Sequence, residues 1–174
     1  MSLKLLGAVI ILLSSCCLGI CSGVTMKKRI ELIKGFVWSL AEFKALLKFI
    51  YETIPDACMK ISDNCNSDVV RKLYRQVGEK LDKKGDEEFK TIWLEAVDKI
   101  LCNSCLENSD IKIISKMSEL PIFLDRDALI NKITSVEDEM DMTRVNAEKH
   151  IKEQCRVYGC TGFCAGVIAV ILLI

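Results

Sequence analysis

The sequence predicts an all-α protein: a cytoplasmic bundle of about five or six helices, whose first and last helices continue into transmembrane helices. Apolar residues recur at helical spacing through the middle of the chain, and no stretch alternates with period two long enough to indicate a strand. The 174 residues include only two prolines and nine glycines, which disfavours a turn-dense all-β fold. Charged residues avoid both ends of the chain, where two apolar runs reach the length of a membrane helix.

Charge is segregated along the chain. No charged residue occurs in the 22 residues from Leu5 to Met26, or in the 18 residues from Val157 to Ile174. A bilayer core needs roughly 20 apolar residues as a helix, so both runs qualify, the second only narrowly. The chain therefore divides into an N-terminal transmembrane helix at 1–26, a helical bundle at 27–156 and a C-terminal transmembrane helix at 157–174.

Basic residues flank the middle domain on both sides. Lys27, Lys28 and Arg29 follow the first apolar run, and further cations precede the second: Lys149, Lys152 and Arg156. By the positive-inside rule the middle domain faces the cytoplasm, and both chain ends lie on the far side of the membrane. This domain has 23 cations and 24 anions, so it has no cationic excess and no nucleic-acid partner is predicted.

The N-terminal run also fits a cleaved signal peptide, with Lys4 before an apolar core and Cys21-Ser22-Gly23 as a small-residue exit. Within it, Leu13-Ser14-Ser15-Cys16 fits the pattern at which bacterial lipoproteins are cut and acylated, here on Cys16. Under this alternative the protein is a lipid-anchored or secreted helical binding domain. The apolar run continues ten residues past Cys16 and basic residues follow directly, which favours a retained transmembrane helix.

Apolar residues at helical spacing define the bundle helices. The first stripe runs over 28–53, includes Ile50 and ends before Pro55. A short helix at 56–63 follows, and then a turn with Ser67 as N-cap. The remaining stripes are Val70, Leu73, Tyr74, Val77 and Leu81; Phe89, Ile92, Trp93, Ala96, Val97 and Ile100; Ile111–Leu120; and Leu129, Ile133, Val136, Met140, Ala147 and Ile151.

Helix ends are predicted from capping residues. Asp86 can cap the fourth helix, with Glu88 in its first turn, and Pro121 can stop the fifth. Asp125 or Asp127 can cap the last helix, whose apolar stripe runs without a break into the C-terminal apolar run. At 1.5 Å per residue, this last helix is roughly 70 Å long.

Ten cysteines suggest a disulfide scaffold, but their positions argue against one. Five lie within the apolar runs and Cys155 lies just before the second, while a cytoplasmic domain keeps its thiols reduced. The remaining four, Cys58, Cys65, Cys102 and Cys105, are weak candidates for a four-thiolate zinc or redox site. Only Cys102 and Cys105 have the close spacing of such motifs, so we predict no metal and no cofactor.

The sequence offers little for catalysis, and no enzyme is predicted. His150 is the one histidine and is expected to lie in solvent, which nearly excludes a catalytic triad or a histidine-rich metal site. No glycine-rich phosphate loop occurs, and the acidic runs at 86–88 and 137–139 are typical of solvated helix faces. Arg144 and Lys152, on the polar face of the last helix, are the candidate partner contacts, together with the bundle loops.

Several pieces of the chain resemble one known family in their order. They are Leu3–Leu13, Thr53-Ile54-Pro55, Trp93 in an alanine-containing helix, Leu120–Asp127 and Tyr158–Ile174. Over essentially the whole chain they resemble the stage III sporulation protein AB family of endospore-forming bacteria. That family usually has glycines near the turn at 117–121, where this chain has none, so the turn is expected to form differently.

The resemblance implies a location and a role. It implies a mother-cell membrane protein, in the membrane that surrounds the forespore, with a cytoplasmic domain like the F-type platform protein of type II secretion. Its partners would be other stage III sporulation proteins of a transenvelope channel complex, including the cytoplasmic ATPase stage III sporulation protein AA. The family has no catalytic residues, and the resemblance leaves open whether the protein forms a homo-oligomer. The implied function is a non-enzymatic membrane platform that couples this ATPase to the channel.

Overall fold

A computed structural model describes the backbone of residues 2–83, 88–120 and 126–173, and the side chains of 24–83, 88–120 and 126–151. Over these residues the protein is all-α and contains no strand, which confirms the predicted helical bundle. The elements are α1 (Ser2–Ala45), a π-helix (Leu46–Ile50), α2 (Ile54–Asn64), α3 (Asp68–Lys83), α4 (Phe89–Leu101), α5 (Asn108–Ser115), a 3-10 helix (Lys116–Glu119) and α6 (Arg126–Leu173).

The chain divides into two compact units. One consists of Met1–Lys28 with Asn146–Ile174, and the other of Arg29–Val145. Among the residues with described side chains, no helix is long and apolar enough to cross a membrane. The predicted spans at 1–26 and 157–174 fall almost wholly on side chains outside the described ones, so they stay predictions, as does the division into three domains.

Four aromatic side chains from three helices form the centre of the larger unit. Trp93 of α4 is fully buried; its ring stacks with that of Phe89 and meets Tyr74 of α3 edge-on, with centroids 5.6 Å apart in both pairs. Tyr74 lies 6.1 Å from Phe43 of α1. The indole N–H of Trp93 donates to the carbonyl of Ile114 at 3.0 Å, which satisfies its polar atom and joins α4 to α5.

The apolar stripes read from the sequence supply most of this core, with one exception. Ile50 was expected inside but is 57% exposed. The α-helical register is lost before it, because the chain forms a π-helix over Leu46–Ile50 and Tyr51 then takes a left-handed conformation with φ 63°. A π-turn holds more residues than an α-turn, so side chains after it leave the face that a constant 3.6-residue period would assign.

Pro55 does not end the first helix. The helical path closes at Tyr51, and Pro55 lies in the first turn of α2, where its missing N–H leaves no hydrogen bond unmade. Thr53 is the N-cap of α2, and its hydroxyl accepts the Asp56 N–H at 3.4 Å. The predicted short helix at 56–63 is therefore confirmed, with a start two residues earlier.

The predicted caps of α4 and α6 are corrected in part. Glu88 occupies the N-cap position of α4, so it does not lie in the first turn, and Asp86 lies outside the described residues. Helix α6 begins at Arg126, which places Asp127 in its first turn and not at the cap. Asp125 lies outside the described residues. Charge near a helix start thus marks the region of the boundary but not the capping residue.

The fifth helix begins earlier than its apolar stripe and ends differently. Helix α5 starts at Asn108 after the N-cap Glu107, and a 3-10 helix replaces its predicted last turn. Leu120 is extended, and Pro121 lies outside the described residues. The chain therefore enters the turn that lacks the family's glycines as a 3-10 helix, whose turns hold fewer residues than those of an α-helix. No residue of this 3-10 helix has the positive φ that a glycine would favour.

One buried ion pair joins α1 to the start of α5. The Arg29 guanidinium donates from Nε to Asp110 Oδ2 at 2.8 Å and from Nη2 to Asp110 Oδ1 at 2.9 Å. The Asp110 side chain is fully buried, and its Oδ2 also accepts the Glu107 N–H at 3.0 Å in the capping box of α5. The Glu107 carboxylate contacts Arg29 as well. The hydrogen bond with Asp110 raises the pKa of Arg29 even though burial opposes the charge.

Only part of the basic flank that follows the first apolar run is therefore exposed. Lys27 and Lys28 are exposed, whereas Arg29 is buried. Its planar guanidinium matches a carboxylate with two parallel hydrogen bonds, and that match offsets much of the cost of removing both charges from water. The partner is 81 residues away in sequence, so no local pattern indicates it.

Replacing the buried acid should strongly destabilise the fold. Asp110→Ala is expected to lower the free energy of unfolding by about 3–5 kcal/mol, because it removes the buried partner of Arg29, leaves that charge only the exposed Glu107 carboxylate, and breaks the capping box of α5. Chemical denaturation of the full-length protein in detergent measures this. Glu139→Ala is the matched control, since it removes a carboxylate from an exposed pair with Lys116 and should cost less than about 1 kcal/mol. Equal losses in both variants would contradict the structural role of the buried pair.

Candidate interaction surface at the end of helix α1

Three consecutive large apolar side chains are exposed where α1 and its π-helical extension end. Phe49, Ile50 and Tyr51 expose 72%, 57% and 71% of their surface, and these three residues are called the apolar corner below. Single exposed apolar residues are ordinary on a protein surface, but a contiguous group is typical of a binding site. The corner is therefore the first candidate for a partner contact.

The backbone of the corner is strained. Tyr51 is the one non-glycine residue with a positive φ among those the structure describes. Its N–H bonds back to the carbonyl of Leu46, and the Glu52 N–H reaches the same oxygen at 3.3 Å, so the π-helix is closed by paired hydrogen bonds. A left-handed conformation costs a side-chain-bearing residue about 1–2 kcal/mol. Strain of this kind persists only where neighbouring contacts hold it.

Arg126, the first residue of α6, supplies such contacts. Its guanidinium carbon lies 4.1 Å from the centre of the Tyr51 ring, and its Nη2 donates to the Leu47 carbonyl within the π-helix. A cation over an aromatic face stabilises by about 0.5–2 kcal/mol, comparable to the strain at Tyr51. The Lys48 ammonium lies 5.5 Å from the Phe49 ring, so two cations border the apolar corner.

Of the two partner contacts predicted from the sequence, the structure describes the side chain of only Arg144. Arg144 lies on α6 with 27% of its side chain exposed, and its Nε pairs with Asp141 at 2.7 Å. Its charge is thus partly compensated within its own helix. The side chain of Lys152 lies outside the described residues. Both remain predictions as partner contacts. His150 is exposed, as expected.

The four candidate cysteines of the bundle are free thiols in two different environments. Cys58 and Cys65 are buried, whereas Cys102 and Cys105 are exposed in the turn after α4. No group of three or more potential ligands among the described residues could hold a metal ion. The structure therefore does not bring the four thiols together as the zinc alternative required.

Burial raises the pKa of the Cys58 thiol, because the apolar surroundings penalise the thiolate. The pKa of the Cys102 thiol is raised for a different reason. Its Sγ lies 3.6 Å from the Asp98 carboxylate, and this hydrogen bond, together with the negative charge, raises the pKa of Cys102. Neither thiol is an activated nucleophile in this structure, since reactivity follows the thiolate.

The apolar corner was not predicted from the sequence. Ile50 was assigned to the core, and Phe49 and Tyr51 received no role. The sequence held only a weak indication, three apolar residues in a row that Glu52 separates from the Thr53-Ile54-Pro55 helix start. Arg126 lies in the Leu120–Asp127 segment that supports the resemblance, but nothing there indicated its contact with Tyr51, because that contact depends on where α6 begins.

Fold and surface together define a small all-α bundle with an exposed apolar corner. The family model of stage III sporulation protein AB matches residues 4–174, and the chain belongs to that family. A solved structure of a stage III sporulation protein AB is similar, with a TM-score of 0.66 and 19% identity over 72% of this chain and 97% of that one. That likeness shows a shared fold. No curated protein matches the sequence.

The thiol environments predict a labelling pattern. Cys102 and Cys105 should react with a maleimide in the folded protein, and Cys58 and Cys65 only after unfolding, because burial blocks access. Peptide mapping by mass spectrometry separates the sites. Asp98→Asn should accelerate labelling of Cys102 at pH 8, since losing the carboxylate lowers the pKa of that thiol, and leave the rate at Cys105 unchanged. Native labelling of Cys58 as fast as that of Cys102 would count against the described burial.

Proposed function

We propose that the protein is a non-enzymatic membrane platform in the transenvelope channel complex between mother cell and forespore during endospore formation. In this role it couples a cytoplasmic ATPase, stage III sporulation protein AA, to the channel, beside other stage III sporulation proteins. Family membership over residues 4–174 supports the sporulation setting. The observation that carries a binding role is the apolar corner, whose three large side chains stay exposed on the bundle.

The corner has the features of a protein-binding hot spot. Phe49 and Tyr51 offer large, stiff aromatic surface, which loses little conformational entropy on binding. Arg126 and Lys48 border it with positive charge. A complementary partner surface therefore has an apolar centre and carboxylates at its edge. The ordered backbone of the corner means that binding needs no folding step.

We also propose that 1–26 and 157–174 cross the mother-cell membrane, with the bundle in the cytoplasm and both chain ends on the far side. The lengths and lack of charge of these segments support this. Their backbones are helical within α1 and α6. With Arg29 paired inside the bundle, the orientation rests on Lys27, Lys28, Lys149, Lys152 and Arg156, of which the first three are exposed and the last two have side chains outside the described ones.

Removing the apolar corner should weaken recovery of the ATPase. Phe49→Ser combined with Ile50→Ser is expected to reduce it at least tenfold in a pull-down of the detergent-solubilised protein from sporulating cells, because hot-spot side chains contribute about 2 kcal/mol or more. Partners are identified and quantified by mass spectrometry. The melting temperature should change little, since both side chains are exposed.

Met142→Ser is the matched control, because Met142 is an exposed apolar residue, 67% accessible, away from the corner. Arg144→Glu and Lys152→Glu form a second arm on the polar face of α6, where a charge reversal should weaken recovery more than folding. Unchanged recovery of the ATPase across the corner variants and both reversals would overturn the platform proposal.

A reporter that is active only in the cytoplasm tests the topology. Inserted in the exposed turn between Cys102 and Cys105, it should be active, while the same reporter at the N-terminus should be inactive. Labelling with a radioactive fatty acid provides the opposing readout. Acylation at Cys16, or activity of an export-dependent reporter in the turn, would favour the lipid-anchored or secreted alternative.

A further inference from the structure

A groove of about 540 Å³ opens on the larger unit between α3 and α4, and is called the basic groove below. Three cations line it, Lys72 and Arg75 from α3 and Lys99 from α4. Val69 and Ile100 supply an apolar wall. The groove is separate in sequence from the apolar corner, and none of its residues has a role in the proposed platform function.

The charges of the basic groove are compensated only in part. Glu79 is the one carboxylate in the lining, so three cations against one anion leave a net charge of +2. The Arg75 Nε lies 3.7 Å from Glu79 Oε1, a loose contact along the same helix. Lys72 and Lys99 form no ion pair or hydrogen bond with any residue that the structure describes. Excess positive charge held in a concave surface favours an anionic ligand.

Elsewhere along the same two helices, a cation of α3 is paired with a carboxylate of α4. Lys80 of α3 pairs with Glu95 of α4 at 2.6 Å. At the groove, by contrast, Lys72 and Arg75 of α3 and Lys99 of α4 line one concave surface, and an anion held there is attracted by all three.

Gln76 adds an independent sign of a missing acceptor. Gln76 is one of the residues that line the basic groove. Its Nε2 is buried and has no hydrogen-bond partner, and it is the one such side-chain nitrogen or oxygen among the described residues. A buried donor without an acceptor costs stability, so native proteins rarely retain one without a reason. Because this nitrogen is closed to solvent, the Gln76 side chain has to turn toward the groove before a carboxylate bound between the lysines can accept its N–H.

We propose that the basic groove binds an acidic segment of a protein partner. The lysines and Gln76 hold its carboxylates, and Val69 and Ile100 contact the methylene groups of its Glu side chains. The openness of the site favours this occupant, because Lys72, Arg75 and Lys99 are themselves exposed, whereas small-molecule sites bury most of their ligand. The inference is independent of the platform function, since any partner with such a segment would satisfy it.

Fluorescence anisotropy of a labelled hexaglutamate peptide with the full-length, detergent-solubilised protein tests the proposal. Lys72→Glu combined with Lys99→Glu is expected to weaken binding at least tenfold. Lys90→Glu combined with Lys112→Glu is the matched control, because these are exposed lysines of α4 and α5 outside the groove, and affinity should stay within about twofold. The neutral pair Lys72→Gln with Lys99→Gln repeats the test without introduced repulsion. Equal losses in the groove and control pairs would overturn the proposal.

Gln76→Leu separates a binding role from a structural one. Removing an unpartnered buried amide should leave the melting temperature unchanged or raised, while peptide affinity falls about fivefold. Unchanged affinity with this variant would contradict a role for the amide in anion binding. Inorganic phosphate and ATP are added as competitors. If either displaces the peptide at lower concentration than free hexaglutamate does, the groove is a phosphate site, and an acidic protein segment is the wrong occupant.

Discussion

The arrangement of the larger unit depends on the buried pair between Arg29 and Asp110. Two charges removed from water cost several kcal/mol each, and only a close geometric match offsets that cost. The guanidinium meets the carboxylate with two hydrogen bonds of 2.8 and 2.9 Å, so α1 and the start of α5 are limited to one register. Asp110 also caps α5, which ties the beginning of that helix to the same contact. From the other side, Trp93 anchors α5 through the Ile114 carbonyl and connects it to the aromatic core.

The apolar corner follows from how α1 ends. A regular helix would keep turning Ile50 toward the core, but the π-helix and the left-handed Tyr51 release it to the surface. Arg126 compensates the strain with its contact to the Tyr51 ring and its bond to the Leu47 carbonyl. The start of α6 and the end of the π-helix therefore stabilise each other, and the exposed apolar side chains lie on ordered backbone. A surface of this kind suits a platform protein, because a preorganised site binds without an ordering cost.

The near-neutral charge of the bundle hides an uneven distribution. Some cations of the bundle are paired across helices with specific acids, as Lys116 is with Glu139 and Lys132 with Glu119. Uncompensated positive charge is left in the basic groove, beside the buried amide of Gln76. Two surfaces of different chemistry thus lie on one unit, an apolar one at the end of α1 and a cationic one between α3 and α4. The net charge of the bundle reveals neither surface, because the fold decides which charged side chains lie close enough to pair.

The sequence by itself determined the helical class, most core residues and the family, because periodicity and an ordered set of motifs are local properties. Ile33, Trp93 and Ile133 lie inside as their spacing required. It misplaced Ile50, did not show that Arg29 is buried, and gave no contact role to Tyr51, Arg126 or Gln76. Each of these depends on a contact between distant residues or on a backbone turn that a fixed helical period does not encode. Only the tertiary structure decided which apolar residues stay exposed and which charges stay unpaired, since both depend on the elements that pack against them.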